Sequence, residues 1–151
     1  MQLSIVIPLY NEENSLKELN KTIETVVLDM GIEYELIYID DGSNDSSWNV
    51  IKDIAKESIH IKGIKFLRNF GKSQALSAGF KSAKGDVIIT MDADLQDDPN
   101  EIPGLFNGIK KEDFDLISGW KKKRFDSLIF KNIPSKIFNW AARKTSGIKL
   151  N

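Results

Sequence analysis

Five short apolar runs alternate with longer segments whose apolar residues recur every three or four positions, and few folds accept that pattern. Residues 3–7, 34–39, 61–67, 87–91 and 114–117 have strand lengths, and most are rich in β-branched side chains. Pro8 closes the first run, because proline cannot donate to a sheet ladder. Between the runs, residues 12 to about 30 place Leu16, Leu19, Ile23, Val26 and Val27 on one helical face, and Gly31 suits its end. The next helix, capped by Asp45 or Ser46, carries Trp48, Ile51, Ile54 and Ala55 inward. Residues 71–83 point Ala75, Leu76, Gly79 and Phe80 inward, with Gly85 beyond the end. Pro99 fits the first turn of a helix reaching about residue 109, and a last amphipathic helix spans residues 127–144, starting near Pro134 or kinked there. Strand and helix repeated this way predict an α/β chain: a three-layer α/β/α sandwich with a mostly parallel sheet.

The 151 residues suffice for one domain with a real core, expected over residues 1–151, and are too few for two of ordinary size. With 41% hydrophobic and 28% charged residues, the chain reads as globular rather than disordered. A net charge of −1 supplies no field for nucleic acid, which is excluded as a partner. The absence of cysteine excludes disulfides and thiolate metal sites and is compatible with a reducing cytoplasm. The first strand starts without a basic leader, and no apolar run approaches the ~20 residues that span a bilayer. The expected location is cytoplasmic, or peripheral at the inner face of the cell membrane.

Ligands of open α/β sheets bind beyond the carboxyl ends of the strands, and three strands here end in polar clusters. They are Pro8-Leu9-Tyr10-Asn11-Glu12, Asp40-Asp41-Gly42-Ser43 and Asp92-Ala93-Asp94-Leu95-Gln96. Asp92 and Asp94 leave a buried strand with one residue between them, a spacing that turns two hard carboxylates toward one Mg²⁺ or Mn²⁺, with Gln96 as a further oxygen. The plainer reading is a solvated acidic loop before the helix at Pro99. Asp40 and Asp41 suit either an Asx turn or acceptance from a base N–H or a ribose hydroxyl. Tyr10 suits a helix start or stacking on a base, with Glu12 near the nucleoside. Asn69-Phe70-Gly71-Lys72-Ser73 opens a helix, where free N–H groups and Lys72 favour phosphate or a glycine simply makes the turn. It lacks the P-loop spacing.

Together with Asp97-Asp98-Pro99, these motifs in this order resemble family 2 glycosyltransferases with the Rossmann-like GT-A nucleotide-diphospho-sugar transferase fold. Within them the similarity is to polyprenyl-phosphate sugar transferases, the dolichol-phosphate mannose synthase group. The resemblance implies transfer of a sugar, with inversion, from a UDP- or GDP-linked donor to a polyprenyl or dolichyl phosphate or another glycan acceptor. It implies Asp92, Asp94 and Gln96 as metal ligands for Mg²⁺ or Mn²⁺, with Asp92 and Asp94 as the catalytic pair. It implies Pro8, Tyr10, Asn11, Glu12, Asp40 or Asp41, Lys72 and Asp92 as the nucleotide-sugar site. Lys121, Lys123 and Arg124 are candidates for donor or acceptor phosphates, or else form a solvated basic loop. The apolar face of the 127–144 helix suits a membrane interface or an ordinary core. Catalytic domains of this group continue past the equivalent of Asn151, so the chain is expected to be the donor-binding part, truncated on the acceptor side.

Rival chemistries fit less well. A haloacid-type phosphatase carries its D-x-D near the first strand, and a receiver domain places its acids there too. A dinucleotide dehydrogenase needs G-x-G-x-x-G after the first strand, where this chain has no glycine. The surviving alternative is a non-catalytic nucleotide-sugar-binding module.

Overall fold

The structure is a computed structural model, and it describes residues 1–112 and 114–119. Among them β1 (Leu3–Leu9), α1 (Leu16–Asp29), β2 (Tyr34–Asp40), α2 (Ser47–Glu57), β3 (Ile61–Lys65), α3 (Lys72–Ser82) and β4 (Val87–Thr90) alternate in chain order. A 3₁₀ turn, Pro99–Glu101, then leads into α4 (Ile102–Glu112). The strands form one parallel sheet in the order β3-β2-β1-β4. Lys121, Lys123, Arg124 and the helix expected at 127–144 lie outside the described residues. No helix among the described residues is long and apolar enough to cross a membrane.

Period-two alternation sorts β1 between two apolar layers. Leu3, Ile5, Ile7 and Leu9 meet Leu16, Leu19, Ile23 and Val27 of α1, Ile51 and Ile54 of α2, and Ile102 and Phe106 of α4. Val6, with Ile37 and Ile39 of β2, meets Ala75 of α3 on the other face. Helices therefore cover both faces, as the alternation predicts. Burial of both faces also explains why the middles of β1 and β2, residues 5–7 and 36–39, read as unbroken apolar runs.

Two expectations are corrected. Residues 114–117 form no strand. Phe114 and Leu116 are exposed, and only Ile117 turns inward, where its Cδ1 lies 2.7 Å from the position a Cβ on Gly108 would take. A four-residue apolar run does not carry enough period to separate a strand from an irregular segment. Phe80 is exposed rather than inward. The contact stripe of α3 is narrow and built on small residues: a Cβ on Gly79 would sit 2.3 Å from Val6 Cγ1. Phe80, 100° further round the helix, falls off that stripe.

At the amino-terminal end of the sheet, a buried glutamate fastens the α3–β4 connection. Glu35 Oε1 accepts from Ser4 Oγ at 2.7 Å and from the Lys84 N–H at 2.7 Å, and Oε2 accepts from Lys62 Nζ at 2.5 Å. Ser4 Oγ in turn accepts from the Gly85 N–H at 2.8 Å. Burial pushes the Glu35 carboxyl up, but the bonds from Lys62, Ser4 and Lys84 overcome it and hold it below the usual glutamate range.

Candidate functional site

The strand order changes direction between β1 and β4, which is where open α/β sheets hold ligands. The β1–β4 register pairs Val6 with Thr90, and the Met91 N–H donates to the Val6 carbonyl at 3.1 Å. That pairing carries the acidic segment after β4 alongside the end of β1. A cleft of about 330 Å³ opens there. Pro8, Leu9, Tyr10 and Glu12 come to it from β1, Asp41 from β2, Asn69, Gly71, Lys72 and Ala75 from the start of α3, and Asp92, Ala93 and Asp94 from β4.

The first two loops hold each other. Asn11 has a φ of +58°, in the left-handed region that asparagine tolerates better than most residues. Its N–H donates to Ser43 Oγ at 2.9 Å, and its Oδ1 accepts from the Asn44 N–H at 2.8 Å. The Glu12 N–H donates to Ser47 Oγ at 2.8 Å, and Asn44 Nδ2 donates to the Tyr10 hydroxyl at 3.0 Å. Asp45 joins them, accepting from the Glu13 N–H at 3.2 Å and from the Ser47 N–H at 2.9 Å. Burial pushes its carboxyl up, but the Ser47 hydroxyl together with the Ser47 and Glu13 N–H groups outweighs that cost and holds it below the usual range. The loop after β1 is thus spent on bracing, and α1 begins at Leu16 rather than near Glu12. Asn11 is a brace and is not among the residues lining the cleft.

The paired acids after β2 divide their work. Asp40 is fully buried and off the cleft; its Oδ1 accepts from the Ser43 N–H at 2.8 Å, closing the turn. Its Oδ2 is buried with no hydrogen-bond partner. Asp41 faces the cleft and clamps the next loop, accepting from the N–H groups of Phe70 at 2.8 Å and Gly71 at 2.9 Å. Between them and the Arg68–Asn69 backbone there is no room for a side chain on Gly42, whose φ is +74°.

Lys72 stands at the first position of α3 and its ammonium donates to Asp92 Oδ1. The Asp92 N–H donates to Asp97 Oδ2 at 2.9 Å, and Asp94 Oδ1 accepts from the Gln96 N–H at 3.1 Å, so the acidic loop closes on itself. Leu95 has a φ of +61°, a left-handed backbone that costs of order 1–3 kcal/mol outside glycine. Past that turn, Gln96 lies in a separate hollow with Glu18, Thr22 and Asp98, away from Asp92 and Asp94. The placement of Gln96 therefore departs from the ligand set that the sequence suggests. Among the described residues no cluster of three or more acidic, histidine or cysteine side chains forms a closed metal cage. Two carboxylates at an open cleft do fit a magnesium-like ion, which usually takes one or two protein carboxylates and fills its remaining positions with water and substrate phosphate.

Ser43 belongs to the turn cluster that the sequence singles out, but the bracing partners Asn44 and Ser47 carry no sequence signal, since serine and asparagine after a turn read as ordinary helix capping. The aligned model of the family described as glycosyl transferase family 2 matches residues 4–150. The chain belongs to glycosyl transferase family 2. Its relatives include an undecaprenyl-phosphate 4-deoxy-4-formamido-L-arabinose transferase from Shewanella sediminis, 43% identical over 99% of this chain and 45% of that one. A dodecaprenyl-phosphate galacturonate synthase from Rhizobium johnstonii is 36% identical over 100% of this chain and 45% of that one. The chain thus spans less than half the length of these curated relatives. Among solved structures, S. aureus TarS 1–349 superposes with a TM-score of 0.66 at 20% identity, over 87% of this chain and 40% of that one. The mannosyltransferase PcManGT from Pyrobaculum calidifontis, in complex with GDP-Man and Mn²⁺, gives 0.60 at 21% identity, over 72% of this chain and 31% of that one. The GT-A fold expected of this family 2 chain is the fold of these neighbours.

Proposed function

We propose that this family 2 chain is the donor-binding part of an enzyme that moves a sugar from a nucleotide diphosphate to a polyprenyl phosphate. The observation that carries the reading is the convergence of Tyr10, Glu12, Asp41, Lys72, Asp92 and Asp94 on one cleft at the direction change of the sheet. Polyprenyl-phosphate sugar transferases among the relatives point to the acceptor, and neighbours in complex with UDP-GlcNAc or with GDP-Man and Mn²⁺ support a nucleotide-sugar donor. The prenyl chain of such an acceptor keeps the reaction at a membrane surface, and its cytoplasmic face is the side proposed.

Tyr10 offers a ring at the cleft wall for a base, and Glu12 and Asp41 offer acceptors beside it. Lys72 and the free N–H groups at the start of α3 attract the diphosphate. Asp92 and Asp94 would hold Mg²⁺ or Mn²⁺, which would offset the charge that develops on the leaving diphosphate. An oxygen of the acceptor phosphate attacks the anomeric carbon from the face opposite the diphosphate. The new C–O bond forms as the sugar–diphosphate bond breaks, and the configuration inverts. The attacking phosphate oxygen is already ionised, so no residue is required as general base.

Binding of UDP and of GDP, with and without Mn²⁺, tests the reading. At least one nucleotide should bind in a Mn²⁺-dependent way, and Asp94→Ala should weaken that binding by at least about tenfold. Asp94→Asn keeps an oxygen for the Gln96 N–H while losing the charge, and should lose Mn²⁺ dependence with unchanged thermal stability. No Mn²⁺-dependent binding of either nucleotide would sink the assignment. Sugar transfer to polyprenyl phosphate in membranes separates an enzyme from a module that binds without turnover.

A further inference from the structure

Lys72 opens α3, where a helix start and a positive charge favour phosphate. Its ammonium is not poised free at the helix start but sits on Asp92, one of the two carboxylates assigned above to the cation. Both side chains are partly open to solvent, 59% for Lys72 and 36% for Asp92, so the pair is free to part. An exposed ion pair of this kind contributes little to stability. Its electrostatic effect on a third charge is larger. A divalent cation approaching Asp92 meets a positive charge already on that carboxylate, and a diphosphate approaching Lys72 meets a lysine already neutralised beside two acids. Each ligand alone is opposed. When both arrive, the cation takes the carboxylate and the lysine turns to the phosphates, relieving both oppositions.

We propose that Lys72 is an internal stand-in for the cation, and that its exchange from Asp92 to the donor diphosphate makes cation binding and nucleotide binding depend on each other. The proposal rests on the reading of Asp92 and Asp94 given above. Lys72 thereby opposes a lone metal ion at Asp92 until the diphosphate draws the ammonium away. By linkage, the factor by which nucleotide strengthens cation binding equals the factor by which the cation strengthens nucleotide binding, so either titration measures it.

The test titrates the whole chain with Mn²⁺, read by loss of the free-ion electron paramagnetic resonance signal, alone and at saturating UDP or GDP. Lys72→Met keeps the length of the side chain and removes its charge. It should bind Mn²⁺ alone about five- to tenfold more tightly than the unaltered chain, from a unit charge removed beside a divalent ion in a wet site. It should also show a smaller strengthening by nucleotide. Lys72→Arg, which keeps the charge, should restore both. Mn²⁺ binding in Lys72→Met that is equal to or weaker than that of the unaltered chain overturns the stand-in role, while the cation site itself stands. An unaltered chain and a Lys72→Met chain that both fail to bind Mn²⁺ with either nucleotide overturn the cation site, and this inference with it.

Discussion

Gly42→Ala should destabilise the fold by about 3 kcal/mol or more and loosen the phosphate side of the cleft at the same time. The φ of +74° at Gly42 lies in the left-handed region, which already disfavours alanine. The greater cost is contact. A Cβ there would lie 2.3 Å from the carbonyl carbon of Arg68 and 2.7 Å from the amide nitrogen of Asn69, and backbone cannot swing aside as a side-chain tip can. The Arg68–Asn69 strand of chain must therefore retreat. It leads directly to the Phe70 and Gly71 N–H groups held by Asp41, and to Lys72 beyond them. Thermal unfolding should show the lost stability. Mn²⁺-linked nucleotide binding, measured well below the melting range, should fall further than for an equally destabilising core variant such as Ile54→Ala. Equal loss in the two variants would mean that the turn matters only for folding.

Glu35→Ala should cost about 2–3 kcal/mol although it lies at the end of the sheet away from the cleft. It strips the acceptor from the Ser4 hydroxyl and the Lys84 N–H, both in a part-buried or buried setting. Lys62 is 40% exposed and finds water, which keeps the cost below that of a fully enclosed pair. The pH dependence has a definite sign. The Glu35 carboxyl titrates lower folded than unfolded, so its stabilisation is complete above the unfolded value, about 4.3, and drains away as pH falls through the folded value. The melting difference between the unaltered chain and Glu35→Gln should be widest near neutrality and narrow in acid below about pH 4. A difference that holds constant into acid would show that shape, not ionisation, accounts for the contribution of Glu35.

Much of the layout was legible because it is written in local period. The apolar runs at β1, β2, β3 and β4 and the helical spacing of Leu16, Leu19, Ile23 and Val27 each reflect which face of an element is buried, and that is a property of neighbouring residues. The run at 114–117 failed for the same reason, being too short to have a period. Phe80 failed because the width of the α3 contact is set by how close Gly79 brings it to Val6, which no window of sequence contains.

The residue types at the three strand ends, and the expectation that they meet beyond one edge of a parallel sheet, came from sequence alone. The acids Asp92 and Asp94 and the lysine at Lys72 were marked by chemistry and by their position after a strand or before a helix. Only the tertiary structure decided which side each of them faces. Asp40 and Asp41 are adjacent, chemically identical and both buried, yet only Asp41 lines the cleft while Asp40 closes the turn, because consecutive residues leaving a strand point to opposite sides. Gln96 follows Asp94 by two residues, but the left-handed turn at Leu95 carries it to another hollow. The contact between Lys72 and Asp92 joins residues twenty positions apart through the stacking of α3 over β1 and the β1–β4 register. Sequence specifies charges and periods; the direction of a side chain depends on backbone turns and long-range packing, and those exist only once the sheet has formed.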